Sequence, residues 1–195
     1  MIGSLPRALD VCGRKHPIRA DFRVILRIIA AFQDEELQDN EKVYVCLKNL
    51  YRDFEEIPAD EYADAYKAAV AFIDFGIHED RPGPRIVDWG HDEHLIFPAV
   101  NKAAGREVRA EAFLHWWTFM GYFQSIDRED TYGYVLMIRQ KKARHKKLEK
   151  WEQDFYTANR NLIALKPSQR TGGAAEDKMR RMFQEMLAER GDNDG

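Results

Sequence analysis

The sequence predicts a mainly α protein: a compact helical domain of about six or seven helices, with a small N-terminal β-hairpin and a tethered C-terminal helix. Three observations carry this. Apolar residues recur at three- and four-residue steps through most of the chain, the pattern of helices with one buried face. Residues 113–123 (Phe-Leu-His-Trp-Trp-Thr-Phe-Met-Gly-Tyr-Phe) are aromatic on nearly every side, whereas lysine and arginine crowd 139–150. A helix apolar all round needs cover from neighbours, and a highly charged one needs solvent or a polar partner. One helix is therefore expected to be buried beside another whose charges stay wet.

Along the chain, residues 8–19 read as a hairpin turning at Gly13-Arg14, where glycine supplies the positive φ of a tight turn. Pro17 confines its strand to a sheet edge. A lone hairpin is barely stable, so it must lean on helices or pair with another chain. Asp21 caps a first helix with Phe22, Ile25, Leu26, Ile29 and Phe32 inward. Asp39 or Asn40 starts a second, with Val43, Leu47 and Leu50 inward. Tyr62, Ala65, Tyr66, Ala69, Phe72 and Ile73 mark a third, entered after Pro58 and ended near Gly76. Residues 77–85 form an exposed connector. A fourth helix, about 88–104, is expected to kink or split at Pro98 and to stop at Gly105. The aromatic block makes a fifth, near 110–126. A sixth begins near Asp130 or Thr131, and the charged region either continues it or breaks around 142–146 before a seventh. Leu148, Trp151, Phe155 and Leu162 are spaced as one apolar stripe. This gives a helical domain over 1–166, a flexible linker over 167–173 and an amphipathic helix over 174–191 that places Met179, Met182, Phe183, Met186 and Leu187 on one face.

With 195 residues and 45% hydrophobic content the chain can enclose one core plus an appendage. The net charge of −3 gives no global reason to expect a polyanion partner. Cys12 and Cys46 lack a paired metal spacing and read as reduced thiols. No apolar run approaches the ~18–20 residues of a membrane span, and the first residues lack the pattern of an export signal. A soluble cytosolic protein is the expectation.

Chemistry is sparse. His91 and His94 sit three apart and resemble half a metal site, but the three or four convergent ligands zinc demands are missing. A polar helix end explains them equally well. His115 precedes two tryptophans and reads as a hydrogen-bonded core histidine. Phosphate-binding loops and nucleophile elbows are absent from the sequence, so no enzyme and no cofactor is expected. The basic run Arg139, Lys141, Lys142, Arg144, Lys146, Lys147, Lys150 has three readings: a solvated or ion-paired helix face, a site for an acidic protein, or a nucleic-acid site. Glu149, Glu152 and Asp154 lie close enough to pair with the lysines, and no aromatics alternate with the charges to stack bases. The methionine-rich C-terminal face either completes the core or docks a partner, since methionine suits adaptable surfaces.

An ordered set of segments resembles one phage family. They are Ala20-Asp21-Phe22-Arg23, Tyr51-Arg52-Asp53-Phe54-Glu55-Glu56-Ile57-Pro58, Asp88-Trp89, Asn101 through Gly105 to Glu107-Val108-Arg109, Leu114-His115-Trp116-Trp117-Thr118-Phe119 and Lys147-Leu148-Glu149-Lys150-Trp151-Glu152. Together they resemble the "gene product fifteen" tail proteins of long-tailed phages and prophages of Gram-positive bacteria. The resemblance covers roughly 8–165 and leaves out 166–195. It implies a tail assembly chaperone that binds the tape-measure protein, recruits the major tail protein, acts in several copies or as a homo-oligomer, and works in the host cytoplasm without entering the mature virion. The family supplies no catalytic residues. On exposure and composition, the expected contact elements are the 8–19 hairpin edge, Arg139, Lys142 and Lys146 of the basic surface, and Met179, Met182, Phe183 and Met186. The runner-up is a nucleic-acid-binding phage protein using 139–150.

Overall fold

The computed structural model describes residues 3–75 and 84–165. The 167–173 linker, the 174–191 helix and Met179, Met182, Phe183 and Met186 lie outside the described residues. Among the described residues, eight α-helices and one two-stranded sheet fall into two compact units, one within Met1–His78 and one within Glu79–Pro167. The sequence pattern marks no boundary within 1–166.

The first unit opens with β1 (Ala8–Val11) and β2 (Arg14–Pro17), antiparallel with Leu9 opposite His16 and Val11 opposite Arg14. The turn is Cys12-Gly13, one residue earlier than expected. Both residues have positive φ, 50° and 82°, as a two-residue turn matched to strand twist requires. The Asp10 carboxylate accepts the Gly13 N–H at 3.0 Å and closes the turn. The hairpin leans on its own unit. Arg19 N–H donates to the Leu50 carbonyl at 2.7 Å, Arg52 N–H donates to the Pro17 carbonyl at 2.9 Å, and Val11 and Ile18 are buried.

Helix α1 (Phe22–Gln33) starts at Asp21, whose carboxylate accepts the Arg23 N–H at 3.0 Å. Its fully buried face is Phe22, Ile25 and Ile28; Leu26, Ile29 and Phe32 are only half-buried. Helix α2 (Asp39–Leu50) starts with a capping box between Gln38 and Glu41 and buries Val43, Cys46, Leu47 and Leu50. After two short 3₁₀ turns, α3 (Tyr62–Ile73) packs Ala65 and Ala69 inward, and the Tyr51 hydroxyl donates to the Ala65 carbonyl at 2.8 Å.

In the second unit α4 (Glu93–Ala104) is shorter than expected, because 89–92 form a turn rather than helix. The helix runs on through Pro98 without splitting, and Gly105 ends it with φ of 68°. His115 is buried, and its Nδ1 accepts the Trp117 N–H at 3.1 Å, so it caps α5 (Trp116–Gln124) from the core. Asp130 precedes α6 (Thr131–Ala143), which ends before His145, at φ of 54°. The charged region therefore breaks into α6, then α7 (Lys150–Ala158) and the short α8 (Arg160–Ile163).

The expected 148–162 stripe is not a buried face. Trp151 is 45% exposed, while Glu152, between the apolar positions, is 1% exposed. Glu152 is held there by Lys141 Nζ and by the Glu149 N–H at 2.7 Å. A buried carboxylate persists only with such partners. Hydrogen bonding from Lys141 keeps this carboxyl below its ordinary value. A depressed folded value stabilises above the unfolded value of about 4.3 and is lost as pH falls through the folded one. Acid should therefore release α7 below about pH 4. Trp151 fluorescence should report this transition, and it should be less pH-dependent in Glu152→Gln.

Candidate functional site

The polar centre of the second unit is structural. Arg139, expected on the basic surface, is 4% exposed. Its guanidinium forks onto Asp92, Nη1 to Oδ2 at 2.5 Å and Nη2 to Oδ1 at 2.8 Å. The remaining N–H groups reach the carbonyls of Ile163 at 3.0 Å, Ile86 at 2.9 Å and Leu162 at 2.6 Å. A guanidinium has five donors, and all are spent. Asp92 also accepts the Asp88 N–H at 3.0 Å and the Tyr132 hydroxyl at 3.3 Å. Burial, and then the Asp92 charge, push the Tyr132 hydroxyl well above its ordinary value, so it remains a donor. Arg139 ties the 84–92 segment, α6 and α8 together and is removed from the basic surface.

Beside this knot Trp89 packs against Phe123 at 4.9 Å between centroids, Trp116 at 6.1 Å and Phe119 at 6.3 Å. Of α5, only Trp116 and Phe119 are fully buried. Trp117, Met120, Tyr122 and Phe123 are half-buried, and Phe113, just before the helix, is 48% exposed. The all-round cover expected for this block is incomplete.

The basic surface is real but differently composed. Lys142, Arg144, Lys146, Lys147 and Lys150 are exposed. Lys142 Nζ lies 3.6 Å from the Tyr156 ring centroid, and Trp151 packs edge-on against Tyr134 at 5.5 Å. An aromatic therefore does neighbour the cations, Tyr156 brought from α7, which spacing within 139–150 could not show. Of the nearby carboxylates, Glu152 serves Lys141 and Glu149 accepts the Trp151 indole N–H at 2.9 Å.

One feature of the first unit is not marked by the sequence pattern. A groove of about 430 Å³ runs along α2, lined among others by Leu37, Tyr44, Leu47, Phe54 and Tyr62. Phe54 stacks on Tyr62 at 5.3 Å and meets Tyr44 edge-on at 5.5 Å. Tyr44 is 54% exposed. The available signal was Tyr44 itself, an aromatic off the inward stripe of α2.

His91 and His94 do not share a helical face. His91 lies in the turn before α4 with Nε2 3.0 Å from the Asn161 carbonyl, and His94 is exposed on the helix. Among the described residues no group of three His, Cys, Asp or Glu is placed to hold a metal ion. Cys12 is exposed. Cys46 is enclosed, and burial pushes its thiol up to about 12, which leaves it little thiolate and hence little reactivity. No described helix is long and apolar enough to cross a membrane.

The matched sequence segments turn out to be fold-making. Asp21 and His115 cap helices, Trp89 fills the aromatic core, Tyr51 ties to α3, and Glu149 with Glu152 forms a capping box. No curated protein and no solved structure matches the chain. The family model described as "Bacteriophage Gp15 protein" matches residues 1–165, just short of the appended segment. The chain thus belongs to the bacteriophage Gp15 family and is a phage protein of the structural or assembly class.

Proposed function

We propose that this protein is a tail assembly chaperone that binds the tape-measure protein during tail morphogenesis in the host cytoplasm. It recruits major tail protein subunits and leaves before the virion is complete. It acts by covering apolar surface, with no bond made or broken. Family membership supports the setting, and one observation carries the mechanism: α5 is apolar around its circumference, yet only Trp116 and Phe119 are enclosed. An amphipathic client helix laid against Phe113, Trp117 and Met120 would remove apolar area from water on both partners. Such burial contributes ~25 cal/mol per Å². A helical tape measure exposes stripes of this kind before the tail tube surrounds it.

The test is a pull-down of the tape-measure protein by the full chain and by a Phe113→Glu, Met120→Gln variant. Both positions retain exposure, so the variant should keep the wild-type circular dichroism and melting profile. Client affinity should fall by at least about tenfold, the effect of removing a central aromatic contact. Undiminished binding by a folded variant contradicts the assignment of α5 as the client surface.

A further inference from the structure

Two oppositely charged faces lie on different parts of the chain. Residues 34–61 hold ten carboxylates against three lysines or arginines, whereas 139–160 hold eight lysines or arginines against three carboxylates. Each face also exposes an aromatic side chain, Tyr44 on the first and Trp151 on the second. The acidic face surrounds the α2 groove: Glu41 is among its lining residues, and Glu35, Glu36 and Glu56 are exposed in the flanking segments, while Glu55 is paired with Lys48. On the basic face, Arg144, Lys146, Lys147 and Lys150 make no ion pair among the described residues, and the nearby Glu149 and Glu152 are engaged elsewhere.

We propose that the α6–α7 face of one copy docks on the acidic α2 groove of a second copy, with Trp151 entering the apolar trough beside Tyr44 and Phe54 and the lysines meeting the carboxylate rim. The groove supplies what the basic face lacks: an apolar seat for the indole and negative charge around it. A nucleic acid fits less well. It has no use for an apolar seat beside the lysines, and the chain as a whole is negative. Because the two contacting surfaces differ, the contact is heterologous and leaves each end of a dimer open for another copy. Copies can then line up, which, on the proposed function, suits a long helical client.

Sedimentation of the full chain across protein and salt concentrations tests this. Association should extend beyond dimers and weaken at least about tenfold between 50 and 500 mM salt, as exposed charge pairs are screened. A Lys146→Glu, Lys147→Glu variant and a Tyr44→Arg variant should each be monomeric. Mixed together they should form a 1:1 dimer that grows no further, because each retains the face the other has lost. Melting profiles matching wild type show that both are folded. The proposal is overturned if the wild type stays monomeric at all concentrations, if either folded variant still associates, if the mixture forms no dimer, or if the basic face binds random duplex while the protein remains monomeric.

Discussion

Replacing Arg139 with alanine is expected to lower the stability of the second unit by roughly 3–5 kcal/mol, the cost of leaving a buried charge without its partner. Asp92 is fully enclosed and accepts two guanidinium bonds that water cannot replace. Three backbone carbonyls, at Ile86, Leu162 and Ile163, lose their donor at the same time. All four tryptophans, at 89, 116, 117 and 151, lie in this unit, so their fluorescence in a urea titration reports it directly. Asp92→Ala should cost a similar amount. The double variant should cost clearly less than the sum, because neither orphaned charge remains. A folded Arg139→Ala protein of wild-type stability that no longer bound its partner would return Arg139 to the surface role its place in the basic run implied.

The second large effect is at Gly133. A Cβ built there lies 2.3 Å from the Asp127 carbonyl oxygen and 2.8 Å from both the Cα and the oxygen of Arg128. These are backbone atoms, which cannot rotate aside as a flexible side chain would. The first turn of α6 must back away from the 127–128 segment. Overpacking costs about 1–3 kcal/mol and occasionally more, and a clash with backbone belongs at the upper end. Alanine is nominally the better helix former by about 1 kcal/mol, so propensity and packing oppose each other and packing wins. Gly121, in α5, is the control, since a Cβ there meets nothing within 4 Å. Gly121→Ala should be neutral or stabilising by up to about 1 kcal/mol. The two substitutions share one chemistry but only Gly133→Ala should destabilise, which thermal melts of both variants would check.

Local signals were legible where one residue type does one job nearby. Asp21 before an apolar-periodic run, Gly105 after one, and Pro58 at a helix entrance all sit where expected. His115 was readable as a core histidine, although its role as a cap was not. The failures share one cause, which is partners distant in sequence. Arg139 looks like one more member of a basic run because Asp92 lies 47 residues upstream. Glu152 interrupts the expected apolar stripe because Lys141, on another helix, draws it inside. The α2 groove draws Leu37 and Tyr44, Phe54, and Tyr62 from three segments, none of them notable alone. The hairpin turn differs by a single position because Cys12 accepts the left-handed conformation that glycine was expected to supply alone.

The proposed role of this molecule is to keep a greasy client soluble. Expressing the tape-measure protein in bacteria with and without the full chain, and measuring its soluble fraction, tests this most directly. The client should move from the pellet into a soluble complex holding several copies of this protein. A client equally insoluble in both cases would contradict the account.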